Sequence, residues 1–249
     1  MKAGTTSIFE DLSGIAGVYM CPEKEPNDLS SDLVLTKEGR EIYAQKFKRA
    51  KPGDVVGEAS TAYSKEPFVM GAAKRAREIL GDELKIIYVT RDPIRRIVSQ
   101  YKHLWALGLE QRSLNEAVLQ DPEYAALSRY DYQLSFWRAQ FPESQILVLT
   151  FEEYIAQPTK VINKILRFVG ITAGTKITPT HRNDSSNKRI VRPGSFGAKL
   201  QNSKTYQFLL KPLLSRALRD KLKILLLPRG RVTEEALTDG VKEELLKRL

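Results

Sequence analysis

Leu84-Lys85-Ile86-Ile87-Tyr88-Val89-Thr90-Arg91-Asp92-Pro93 reads as a buried strand running straight into a helix. Ile86 to Thr90 is a β-branched and aromatic run of strand length, which favours a pleated, covered position. Asp92 suits a helix N-cap and Pro93 the first helical position, so a helix is expected from there through about Trp105. Arg91 closes the strand, where open α/β sheets bind their ligands, and Ser99 follows eight residues later. Arginine offers a fork of donors and serine one hydroxyl, a pairing that suits a phosphate, although a strand-end arginine often just pairs with a nearby acid.

The same alternation extends in both directions. Ile146-Leu147-Val148-Leu149-Thr150 is a second buried strand, and Val55-Val56 is a short apolar run ending in Gly57-Glu58-Ala59-Ser60. Helices are expected over Ser7 to Leu12, Gly71 to Leu80, Ser113 to Leu119, Tyr130 to Gln140 and Pro158 to Val169. Thr172 to Gly197, rich in Thr, Asn, Ser, Gly and Pro, reads as a long loop, and the tail from Lys199 as helical. Strands alternating with helices give an α/β class with a parallel sheet covered on both faces. The 249 residues, 42% hydrophobic and 28% charged, are enough for one large domain, 1–249, with a sizeable core.

Lys2-Ala3-Gly4-Thr5-Thr6-Ser7 is an anion-binding pattern at a helix start. Glycine lets backbone N–H groups approach an anion, the helix N-terminus adds unsatisfied donors and a favourable dipole, and Lys2 adds a point charge. It differs from the phosphate loop GxxxxGK[ST], whose lysine follows the glycines. By itself the string also fits an ordinary helix start.

With Arg91 and Ser99 these residues change meaning. The chain resembles the sulfotransferases that use 3'-phosphoadenosine-5'-phosphosulfate (PAPS), especially the branch of heparan sulfate sulfotransferases and bacterial enzymes. The resemblance spans nearly the whole chain. It runs through Lys2 to Ser7, Lys24-Glu25-Pro26, Gly57-Glu58-Ala59-Ser60-Thr61-Ala62-Tyr63, Arg91-Asp92-Pro93 with Ser99-Gln100-Tyr101 and His103, Phe151-Glu152-Glu153-Tyr154, and Phe168-Val169-Gly170. It implies a P-loop NTPase-like three-layer fold with a central parallel sheet flanked by helices. In that family an apolar strand precedes the KxGTT loop, so the first strand is expected to be truncated here and the native protein to extend upstream of Met1.

The resemblance also implies roles. Lys2, Ala3, Gly4, Thr5 and Thr6 hold the 5'-phosphosulfate, and Arg91 and Ser99 the 3'-phosphate. Asn187, Lys188 and Arg189, with Arg192 as a looser match, cover the nucleotide. Glu25 is the general base and Lys2 stabilises the leaving group; Lys24, Glu58 and His103 are candidates on the acceptor side. Where the family often has aromatic residues after the KEP motif, this chain has Asn27-Asp28-Leu29. The product of transfer is adenosine 3',5'-bisphosphate (PAP). The acceptor, a hydroxyl or amine on a carbohydrate, lipid or small molecule, leaves no readable code.

Charge and cysteine content bound the alternatives. The net charge is +10, and nearly all the excess lies after His181, which suits either a solvated basic surface or an anionic nucleotide. One cysteine, Cys21, and two histidines, His103 and His181, exclude an intrachain disulfide and make a Cys- or His-rich metal site unlike this chain. No metal is expected, and the compartment expected is the cytoplasm. No run is long and apolar enough for a transmembrane segment. A nucleotide or sugar kinase would need a Mg²⁺ arrangement and a triphosphate loop that the sequence does not display. A non-catalytic polyanion-binding protein is supported by the basic tail alone. No nucleic-acid partner is expected, for want of the common recognition motifs.

Overall fold

The computed structural model describes residues 2–172 and 235–249. Among them the chain divides into two units: residues 2–96 with 125–172 and 249, and residues 97–124 with 235–248.

In the first unit, β3 (Ile86–Thr90) and β4 (Ile146–Thr150) pair in parallel, with Ile86 opposite Ile146 and Thr90 opposite Thr150. Their side chains alternate between two cores, as the pleat requires. Ile86 and Ile146 face a cluster with Ala73 and Ala76 of α3 (Ala72–Leu80), Leu134 and Trp137 of α7 (Tyr130–Arg138), and Tyr43 of α2 (Lys37–Gln45). Ile87, Val89, Leu147 and Leu149 face the other cluster. Its helical partners are Ile8 and Leu12 of α1 (Thr5–Ser13), Tyr154 of α8 (Phe151–Ala156), and Val161, Ile162, Ile165 and Leu166 of α9 (Pro158–Phe168). This is the α/β layering expected from the alternation of strand and helix.

A second parallel pair, β1 (Val18–Met20) and β2 (Val55–Gly57), runs Val18 opposite Val55 and Met20 opposite Gly57. The parallel strands therefore form two pairs rather than one continuous sheet, and among the described residues no strand joins the pairs by hydrogen bonds. Side-chain packing joins them instead: Val18 and Met20 enter the cluster that holds Ile87, Val89, Ile8 and Leu12.

The strand-to-helix junction forms as its residues dictate. Asp92 caps α4 (Pro93–Ala106): its carboxylate accepts the Arg95 amide at 2.7 Å and its carbonyl the Arg96 amide at 2.9 Å. Several short or polar elements lie outside the sequence expectations, among them β1, α2, α8 and the four-residue helix Glu123–Ala126. β1 is three residues long, too short to show a period. α2 is rich in charge and buries little besides Tyr43; the Thr36 hydroxyl starts it by accepting the Gly39 amide. α8 is six residues started by a capping box between Thr150 and Glu153.

The second unit holds α5 (Leu114–Gln120), opened by a Ser113–Glu116 capping box, and α10 (Asp239–Arg248). Leu114, Val118 and Leu245 are fully buried there. Arg248 donates to the Leu119 carbonyl at 2.9 Å, and the Thr238 amide to Asn115 Oδ1 at 3.0 Å. Glu110, 6% exposed, accepts from the Gln111 and Arg112 amides and from the Arg112 guanidinium. α10 is the part of the expected helical tail within the described residues; the expected long loop lies almost wholly outside them.

Candidate active site

The loop Lys2-Ala3-Gly4 leads into α1 through two left-handed residues, Lys2 at φ 66° and Gly4 at φ 80°. Gly4 caps the helix with its carbonyl, which accepts the Ser7 amide at 3.1 Å. The amides of Thr5 and Thr6, in the first turn, have no acceptor within the helix and are donors available to an anion. Glycine is required at position 4 for a second reason: a Cβ there would lie 2.4 Å from Phe151 Cδ2.

Arg91, at the end of β3, reaches this loop. Its Nη1 donates to the Lys2 carbonyl at 3.1 Å, and its guanidinium lies 4.8 Å from the centroid of the Phe151 ring. Nε is buried without a hydrogen-bond partner. Burial lowers the affinity of Arg91 for its proton, opposed by the Glu152 and Tyr130 charges. Two motifs that lie 89 residues apart in the chain are thus in direct contact.

α8 braces the junction. Phe151 packs under Gly4 and Arg91, Glu152 accepts the Asp92 amide at 3.2 Å, and the Tyr154 hydroxyl donates to Asp11 of α1 at 2.6 Å. Tyr154 and Asp11 are both buried, and burial, then Asp11, pushes the Tyr154 phenol up. Phe151 and Tyr154 entered the sequence reading only as landmarks. Their one local signal was the placing of Ser7 and Asp11 beside Ile8 and Leu12 on the apolar face of α1, where polar side chains need partners.

The segments after β1 and β2 continue side by side. The Cys21 amide donates to the Gly57 carbonyl at 2.7 Å and the Glu25 amide to the Ala59 carbonyl at 3.0 Å. Lys24-Glu25-Pro26 is therefore laid against Glu58-Ala59-Ser60-Thr61. Glu25 Oε2 accepts the Thr61 amide at 2.6 Å and the Thr61 hydroxyl at 2.9 Å, while Oε1 is paired with Lys24. Burial pushes the Glu25 carboxyl up, but the hydrogen bonds from Lys24 and Thr61 outweigh it and hold it below the usual range. Glu25 and Asn27 both have left-handed backbones, φ 64° and 60°. Such conformations cost on the order of 1 kcal/mol each in a non-glycine residue and persist only where the surroundings enforce them.

Glu58 behaves oppositely. Oε1 accepts from the hydroxyls of Tyr43 at 2.8 Å and Tyr63 at 3.0 Å, and Oε2 from Ser60 at 2.9 Å and Tyr63 at 3.1 Å. Burial still dominates and raises its pKa despite these bonds.

Of the remaining candidates, Ser99 and His103 lie on α4 in the second unit, and Asn187, Lys188, Arg189 and Arg192 lie outside the described residues. Among the described residues no group of three or more His, Cys, Asp or Glu side chains could hold a metal ion. No helix among them is long and apolar enough to cross a membrane.

A glycine-capped helix start joined to a strand-end arginine, on parallel strands packed against helices, is the layout of a P-loop-like fold. Residues 61–203 match the sulfotransferase domain family, more than half of the chain, and the protein belongs to that family. It is a sulfotransferase, an enzyme of sulfuryl transfer. A sulfotransferase from Alicyclobacillus acidocaldarius is similar at 25% identity and TM-score 0.64, over 74% of this chain and 83% of that one. The sulfotransferase domain from the curacin biosynthetic pathway shares the fold at 13% identity and TM-score 0.53, over 99% and 93% of the two chains. Retinol dehydratase in complex with androsterone and the inactive cofactor PAP shares it at 16% identity and TM-score 0.50, over 100% and 77%. No curated protein sequence matches the chain.

Proposed function

We propose that the chain transfers a sulfuryl group from PAPS to a hydroxyl or amine acceptor by in-line displacement. The observation that carries this is the contact of Arg91 with the Lys2 carbonyl, which joins two phosphate-binding motifs beside a glycine whose Cβ position is filled. A buried guanidinium Nε without a partner at that junction fits an anionic ligand oxygen. Retinol dehydratase, which shares the fold, in complex with PAP supports the same cofactor.

When bound, PAPS supplies the sulfuryl group. The amides and hydroxyls of Thr5 and Thr6, with Ala3 and Gly4, hold the 5'-phosphosulfate, and the Lys2 ammonium stabilises charge on the departing phosphate oxygen. Arg91 holds the 3'-phosphate; the family resemblance assigns nucleotide contacts to Ser99, Asn187, Lys188 and Arg189 as well. Glu25 accepts the acceptor's proton. With its pKa below the usual range it is ionised at neutral pH but a weaker base than a free carboxylate, so what favours the transfer is its fixed geometry. Lys24 is a candidate on the acceptor side, and the acceptor is a carbohydrate, lipid or small molecule. We place the enzyme in the cytoplasm, in keeping with its single, buried cysteine.

Calorimetry with PAP tests the cofactor site without knowledge of the acceptor. Binding should persist in EDTA and weaken at least about tenfold for adenosine 5'-phosphate, which lacks the 3'-phosphate. Equal affinity for the two nucleotides, or no binding, overturns the reading. For the base, Glu25→Gln should lower PAP release from PAPS by roughly 10²–10⁴-fold with n-octanol as acceptor, whose hydroxyl stays protonated at neutral pH, leaving PAP affinity unchanged. Wild-type turnover in that variant removes Glu25 from the mechanism.

A further inference from the structure

We propose that Glu58 is a positioning residue: its carboxylate orients the Ser60 and Tyr63 hydroxyls, which in turn accept the Asn27 and Leu29 amide protons and so fix the loop that carries Glu25. The proposal rests on the reading of Glu25 as the base and goes beyond it by naming what holds that base in place.

The argument is one of hydrogen-bond direction. An ionised carboxylate only accepts, and a hydroxyl has one proton to give. Ser60 and Tyr63 both donate that proton to Glu58. Their lone pairs are then free to face the loop, and the loop uses them: the Asn27 amide donates to Ser60 Oγ at 3.1 Å and the Leu29 amide to Tyr63 Oη at 3.3 Å. Tyr43, 4% exposed and rooted in the core, donates the remaining proton and ties Glu58 to α2.

The held segment needs holding. Glu25 and Asn27 have left-handed backbones, and the Asn27 side chain is spent on the Glu25 carbonyl at 2.8 Å. Thr61 fixes the Glu25 carboxylate itself. Ser60 and Tyr63 fix the backbone that follows it. Among the described residues, Glu58 accepts from both hydroxyls at once.

A glutamine at position 58 keeps the shape but replaces one acceptor oxygen with a donor, so a hydroxyl must turn its proton elsewhere. Residue-resolved amide hydrogen exchange reads the result directly. In Glu58→Gln the Asn27 and Leu29 amides should exchange at least about tenfold faster, with Ile87 and Val89 of β3 unchanged as a control for global opening. In Tyr63→Phe only Leu29 should accelerate. With n-octanol and PAPS, Glu58→Gln should lose at least about tenfold in turnover while PAP affinity stays within about twofold, and in a Glu25→Gln background it should cost nothing more. Unchanged exchange at Asn27 and Leu29, acceleration spread equally over β3, or a full further loss in the double variant overturns the proposal. Failure of the base reading shows separately: Glu25→Gln would then turn over as wild type, while the exchange rates still decide what Glu58 does.

Discussion

Replacing Gly4 with alanine puts one methyl where two independent constraints forbid it. The first is the backbone. At φ 80° an L-residue costs about 1–2 kcal/mol. The second is space. The new Cβ would lie 2.4 Å from Cδ2 and 2.6 Å from Cε2 of Phe151, against the roughly 3.5–4.0 Å of a normal carbon contact. The ring has little room to retreat, being packed against the cluster of Ile8, Leu149, Tyr154 and Val161 and lying 4.8 Å from the Arg91 guanidinium. Overpacking of this kind costs about 1–3 kcal/mol. Together the two terms come to about 2–5 kcal/mol, which in a domain of this size lowers the melting temperature by roughly 4 °C or more. Because relief must displace the loop, PAP should bind about 30-fold or more weakly, the equivalent of about 2 kcal/mol. Thermal melts and calorimetry measure both. Gly4→Ala combined with Phe151→Leu separates the terms: removing the ring relieves the overlap but not the backbone cost, so the double variant should be less impaired than the two single losses combined. A Gly4→Ala protein that melts and binds PAP like wild type, or strict additivity in the double variant, would refute the close approach.

Three further outcomes are expected. Arg91→Lys keeps the charge but loses the fork and the guanidinium's contact over the Phe151 ring, and calorimetry should show PAP affinity falling about 10–100-fold. Tyr154→Phe removes one donor to the buried Asp11 carboxylate, so denaturant melts should show about 1.5–3 kcal/mol lost, with Glu25 chemistry untouched once folded. Glu110, held first by the Arg112 guanidinium, has its pKa lowered from 4.5 to about 2. A depressed carboxyl contributes stability that is present above its unfolded pKa and lost as pH falls through the folded one. Glu110→Gln should therefore cost about 2 kcal/mol at pH 7, discounted because the Arg112 partner is partly in solvent, and the gap to wild type should close between about pH 4.5 and 2 in pH-dependent melts.

How much of this was legible in the chain depends on distance along it. Strands β3 and β4, the Asp92-Pro93 start of α4 and the anion loop at Gly4 could all be read, because each is decided by neighbours within a few residues. β1 and α8 could not, because three and six residues hold too little pattern, and both exist mainly through what they pack against. In the site, Lys2, Glu25, Glu58 and Arg91 stood out by residue type and order. What supports them did not: Phe151, Tyr154, Tyr43 and Tyr63 look like ordinary core aromatics in a string of letters.

The sequence by itself determined the α/β class and singled out two candidate anion-binding motifs and two candidate acids. Only the tertiary structure decided that Arg91 meets the Lys2 carbonyl, that Phe151 fills the space Gly4 leaves, and that Tyr154 joins Asp11 across 143 residues of chain. It also separated the two acids, pulling the Glu25 pKa down and pushing the Glu58 pKa up. The physical reason is the same in each case. Helix starts and strand periods follow from local backbone geometry, whereas burial, steric exclusion and the direction of a hydroxyl proton are set by whichever distant side chains the fold brings into contact.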